Sequence, residues 1–141
     1  MATKIFVNLP VKDLDKSKEF FTKLGFTINP QFTNESAACV VISEDIYVMI
    51  LLEQFFKTFI ANKEISDATK NTEAIVALSA DSKAGVDEMA DKALAAGATY
   101  LRNADDHGFM YSRSFQDLDG HIWEVFWMDL AAAPPAPGQT T

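Results

Sequence analysis

One cysteine, Cys39, stands in a chain of 141 residues, so no internal disulfide can form and the reducing cytoplasm is the expected address. It sits in the apolar run AACVVIS with no histidine or basic residue close by in sequence, which points to core packing rather than a reactive thiol. Positive charge is scarce. Twelve Lys and Arg face 20 Asp and Glu, for a net charge of −8 and a pI near 4.6. Phosphate recognition draws on clustered cations, so nucleic acid is not an expected partner, and an anionic membrane is disfavoured for the same reason. No stretch approaches the roughly 20 consecutive apolar residues that span a bilayer, and the opening MATKIFVNLPV turns polar too soon for a secretory signal. A G-x-S-x-G elbow, a phosphate-binding loop and a dinucleotide fingerprint are all missing, which leaves the common nucleophile and nucleotide chemistries without support.

What is present is a core. Apolar residues make up 48% of a chain whose length suits one ordinary domain. KIFVNLPV, residues 4 to 11, reads as a strand that ends near Pro10. Asp13 is a good helix N-cap for LDKSKEFFTKL, and Gly25 is placed to stop that helix. The β-rich segments FTINPQF, SAACVVIS and IYVMILL follow, the last two close enough for a hairpin. The second half repeats this order: the strand AIVALSA, a helix in DSKAGVDEMADKALAAG with Val86, Met89, Ala90, Ala93 and Leu94 on one face, and a stop at Gly97. Three more strands are expected in ATYLRNA, GFMYSRSF and HIWEVFWM, with Asp119-Gly120 as a tight-turn signal between the last two.

The expectation is therefore one α+β domain over residues 1 to 130, built from two βαβββ modules at 4 to 52 and 73 to 128, forming a curved mixed sheet around a cleft. The connector, 53 to 72, should hold a short helix around Phe55, Phe56 and Phe59. The tail from Ala131, AAAPPAPGQTT, is expected to be disordered.

The segments VNLPVKDLDKSKEFFTKLGF and FQDLDGHIWEV, taken with the duplicated strand-helix-Gly units, resemble the vicinal oxygen chelate superfamily over residues 4 to about 128. This is the fold of glyoxalases, fosfomycin and bleomycin resistance proteins and extradiol dioxygenases, and the closest resemblance is to its "predicted lactoylglutathione lyase" subgroup. The resemblance implies a homodimer, a small-molecule ligand and, in members with chemistry, one divalent ion held by side chains from four strands. The matching positions here are Phe6, Met49, Ile75 and Glu124. Phenylalanine and isoleucine carry no donor atom, and a thioether is too soft for hard divalent ions, so no cofactor is expected and an ordinary metal site is disfavoured. A slip of two residues would bring in Asn8 and Glu73 beside Glu124, still without imidazole. His121, at the turn, and His107, in NADDHGF, are expected at the surface.

Glu124 is thus the candidate catalytic group, able to move a proton or to hold a cationic or hydroxyl-bearing ligand. Alternatively it pairs with Arg113 on the neighbouring strand. The expected ligand pocket comprises Phe6, Asn8, Met49, Glu73, Ile75, Tyr111, Arg113, Ile122 and Phe126, with Tyr111, Arg113 and Asn8 orienting the ligand. Two functions remain open: a metal-independent binder of a small apolar or aromatic molecule, and a glyoxalase-like lyase with an atypical site centred on Glu124.

Overall fold

The structure, a computed structural model, describes residues 3–134. The chain divides into two compact units, one running to Thr72 and including Leu118–His121, the other comprising Glu73–Asp117 and the residues from Ile122 onward. Of the expected disordered tail, residues 135–141 lie outside the described residues, while 131–133 form a turn in which the Ala131 amide donates to the Asp129 carboxylate.

The first unit opens with β1 (Ile5–Val11) and α1 (Leu14–Lys23), followed by β2 (Thr27–Asn29), β3 (Ala37–Val41) and β4 (Ile46–Leu52). Asp13 caps α1 as expected, its carboxylate accepting from the Lys16 amide at 3.0 Å. The strands form a mixed sheet in the order β1-β4-β3-β2, with β1 parallel to β4 and the other pairs antiparallel. β1 ends at Val11, beside Pro10 as expected, and a proline is tolerated there because β1 is an edge strand of its sheet. Asn29 and Pro30 end β2 early: the segment expected as strand turns into a single 3-10 turn over Pro30–Phe32, capped by the Asn29 side chain. Val11, Val40, Val48 and Ile50 are at most 1% exposed and, with Phe20 and Phe21 meeting edge to face, make up the core of this unit. Each such burial contributes about 1.5–3 kcal/mol. The connector begins with α2 (Glu53–Phe56) and a 3-10 turn (Lys57–Phe59), where Phe55 and Phe59 pack edge to face.

The second unit contains β5 (Ile75–Ser79), α3 (Lys83–Ala95), β6 (Thr99–Tyr100), β7 (Asp105–Asp106), β8 (Met110–Gln116) and β9 (Ile122–Met128). Its sheet runs β5-β9-β8-β6, with β7 also on β8 and only β5 and β9 parallel. Ser82 caps α3 through the Gly85 amide. The expected strand ATYLRNA is interrupted. The chain leaves the sheet after Tyr100, where Arg102 turns to Asp105, and rejoins it as β7. Both units are mixed α+β, with the anticipated strand-helix-strand order in each.

The turn at Leu118–His121 belongs to the first unit and explains Gly120, which has φ +92° and whose missing Cβ would stand 2.8 Å from the Ala68 carbonyl oxygen. Gly25, at φ +105°, has nothing within 4 Å of that position. Gly25→Ala is expected to cost about 1 kcal/mol through backbone strain alone. Gly120→Ala adds a clash with main chain and is expected to cost at least about 2 kcal/mol. Urea unfolding of the two variants gives the comparison, and equal losses would contradict the close approach to Ala68.

Candidate functional site

Strand pairing decides which side chains can meet. On β8, Arg113 donates to Asp87 at 3.1 Å and to Asp91 at 2.8 Å, both on α3, and the Tyr111 hydroxyl donates to Asp87 at 2.6 Å. Tyr111 stands opposite Trp127, Arg113 opposite Val125 and Phe115 opposite Trp123, so all six share the helix side of the sheet. Trp123 is buried there, its indole N–H donating at 2.9 Å to the buried Asp117. Lys83 from α3 lies over the rings of Tyr111 and Trp127.

Glu124 points the other way. It lies between Ala77 on β5 and Ser114 on β8, on the face that also carries Ile75, Ile122 and Phe126. Arg113 is therefore not its partner, as the sequence had allowed; alternation sends the two side chains to opposite faces. The partner is Arg102, from the break between β6 and β7, whose Nη2 lies 3.5 Å from Glu124 Oε2. Arg102 Nη1 is held by Asp105 Oδ2 at 2.6 Å. The side chains of Arg102 and Glu124 are 45% and 26% exposed, so the pair lies at the boundary with solvent. Beside it the Ser114 hydroxyl is the one buried side-chain nitrogen or oxygen, among the described residues, with no hydrogen-bond partner. A buried polar group of this kind costs stability unless something satisfies it, which marks the spot.

The expected site residues separate accordingly. Ile75, Ile122, Glu124 and Phe126 come together on one face of the second unit, with Arg102, Asp105 and Ser114 as members that sequence reasoning missed. Tyr111 and Arg113 are turned instead to α3, where two carboxylates occupy them. Glu73 precedes β5 and is exposed. In the first unit, Phe6, Asn8 and Met49 share one face with Tyr47 and Cys39; Phe6 stacks on Tyr47 with centroids 4.6 Å apart, and Met49 pairs with both Asn8 and Cys39. Cys39 is fully buried, and burial pushes its thiol up from the ordinary value, as suits core packing.

His121 is half-buried rather than exposed, and its Nε2 lies 2.7 Å from the Pro10 carbonyl, an acceptor to which it donates. It also lines a cavity of about 510 Å³ within the first unit, bordered by Lys12, Lys57, Lys63, Glu53 and Asp67 among others. Nothing in the sequence announced this cavity, because connector residues distant along the chain form it.

The chain resembles solved structures over most of its length. A hypothetical protein, SA1046, from S. aureus is 26% identical, with a TM-score of 0.74 over 90% of this chain and 95% of that one. A glyoxalase/bleomycin resistance protein/dioxygenase family enzyme from Burkholderia phytofirmans PsJN is 16% identical, with a TM-score of 0.76 over 90% and 99%. The fosfomycin resistance protein FosX from Listeria monocytogenes is 19% identical, with a TM-score of 0.66 over 93% and 97%. Residues 3–43 match the family model of the bleomycin resistance protein-like N-terminal region. The chain has the vicinal oxygen chelate fold. No match was found among curated proteins.

The residues at the four positions where the resemblance implies ligands to a divalent ion do not suit one. Phe6 and Ile75 offer no lone pair, Met49 offers a thioether, and the carboxylate of Glu124 already faces a guanidinium. Among the described residues no three His, Cys, Asp or Glu side chains stand close enough to share a metal ion. No helix among them is long and apolar enough to cross a membrane.

The Tyr111 network carries a pH dependence. The hydrogen bond to Asp87, assisted by burial and by the same carboxylate's charge, raises the phenol above its ordinary value of about 10. Its contribution is fully present below the unfolded value, near 10, and is lost as pH rises through the folded value. Tyr111→Phe is expected to be less stable than the parent at pH 8, by about 1 kcal/mol, and to lose less stability between pH 9.5 and 11. Urea unfolding across that range checks this; parallel pH profiles would contradict the assignment.

Proposed function

We propose that the protein binds a small apolar or aromatic molecule carrying a hydroxyl group, on the sheet face around Glu124 and without a divalent ion. The observation that carries this reading is the unpartnered, buried Ser114 hydroxyl directly across the strands from Glu124. Cross-strand neighbours have Cβ atoms about 4.5–5.5 Å apart, so one ligand hydroxyl can donate to the carboxylate and accept from the serine. Ile75, Ile122 and Phe126 supply apolar contact on the same face. The bleomycin and fosfomycin resistance proteins among its structural relatives support a small-molecule role.

The competing reading is a glyoxalase-like lyase with Glu124 as proton carrier. Its support is the same carboxylate, kept where the superfamily places a metal ligand. The apolar and thioether side chains at Phe6, Met49 and Ile75 favour the binder.

A second copy of the chain belongs to this proposal, since β1 and β5 are edge strands exposing Ile5, Phe6 and Ile75. Light scattering is expected to give about twice the 15.6 kDa chain mass.

The functional test pairs metal analysis with thermal melting. Protein purified without chelators is expected to hold well under one equivalent of Zn, Ni, Fe or Mn. Among small aromatic compounds offered with and without a hydroxyl, those carrying it should raise the melting temperature, equivalent to about 2.7 kcal/mol at a hundredfold excess over Kd. Ser114→Ala and Glu124→Gln should each reduce that gain. One equivalent of metal together with hemithioacetal isomerisation, both lost in Glu124→Ala, would overturn the binder in favour of the lyase.

A further inference from the structure

We infer that Arg102 supplies the positive charge beside Glu124 in this chain, so that the site takes an uncharged hydroxyl group and refuses a divalent ion. The inference rests on the binding reading above and adds to it the residue that sets the site's charge. Three observations carry it. Arg102 leaves the β6–β7 break and places Nη2 3.5 Å from Glu124 Oε2, on the face where the resemblance locates a metal. Asp105, on β7, fixes the same guanidinium through Nη1 at 2.6 Å, so the cation is held in place rather than left to wander on a long stem. The Ser114 hydroxyl beside the pair has no protein partner, which leaves a donor available to a ligand oxygen.

The charges decide what enters. Two carboxylates and one guanidinium leave the cluster with a single net negative charge, so an anionic ligand is repelled. A divalent ion is attracted by the acids but must stand against the guanidinium at a few ångströms. A neutral hydroxyl meets neither penalty. It donates to Glu124 and accepts from Ser114, and the 3.5 Å ion-pair separation, longer than a good hydrogen bond, is one that a ligand oxygen can shorten on either side.

The test uses Mn²⁺ alone as the probe, followed by paramagnetic broadening of the Ala77 and Ser114 amide signals in the full chain. Wild type is expected to show broadening only at millimolar Mn²⁺. Arg102→Ala should tighten Mn²⁺ binding at these amides by about tenfold or more, the gain should vanish in Arg102→Ala combined with Glu124→Gln, and Arg102→Lys, which keeps the charge, should behave as wild type. Failure of Arg102→Ala to tighten binding would overturn the role of Arg102 while leaving the metal-independent reading standing, as would equal tightening in Arg102→Lys. Submicromolar Mn²⁺ binding at these amides in wild type would overturn both.

Discussion

The pairing of β8 with β9 is the constraint on which the site depends. Side chains alternate along each strand, and residues opposite one another project to the same side, so placing Ser114 across from Glu124 also places Arg113 across from Val125. One set then packs toward α3, where Trp123 and Phe115 are buried and Asp87 and Asp91 take up Arg113. The other set carries the acid and the unsatisfied hydroxyl. A slip of one residue would exchange the two faces and bring Trp123 and Trp127 to the face that carries the carboxylate, which the packing of α3 on β8 and β9 forbids.

The same alternation puts Ile75, Ile122 and Phe126 on the face that carries Glu124. At the positions where the resemblance implies metal ligands, the chain has Phe6, Met49 and Ile75. Phe6 is stacked on Tyr47, an arrangement that contributes through buried area and ring contact and offers nothing to a metal. Glu124 then needs another source of positive charge, which comes from a residue that regular strand structure would have kept away. The break in the sheet between Tyr100 and Asp105 gives Arg102 its reach. Irregular backbone and polar chemistry occur together here, as they commonly do at binding sites.

Much of the architecture was legible because the signals were local. Asp13, Gly25 and Gly97 bound helices through backbone groups within a few residues, and the alternation in IWEVFWM fixes a strand and its two faces. The misjudged elements turn on competition between local and distant partners. FTINPQF has strand composition, but the Asn29 side chain caps a turn that Pro30 starts. Asp105 and Asp106 are poor strand formers taken into the sheet by β8. The site was half legible. Glu124 and its apolar neighbours follow from periodicity and resemblance, whereas Arg102 and Ser114 do not: an arginine 22 residues before its acid, in what read as a strand, carries no mark of the pairing. Tyr111 and Arg113 looked like ligand groups because they are polar residues in an apolar strand, and the acids that claim them lie a full helix earlier at Asp87 and Asp91.

The central claim is that Glu124 answers to a guanidinium and a hydroxyl rather than to a metal. Crystals grown with millimolar MnCl₂ and measured at the manganese absorption edge test it most directly. The account predicts no anomalous peak within bonding distance of the Glu124 carboxylate in wild-type protein, with Arg102 in place beside it. A manganese peak about 2.2 Å from a Glu124 oxygen, joined by a second protein donor and with Arg102 displaced, would contradict it.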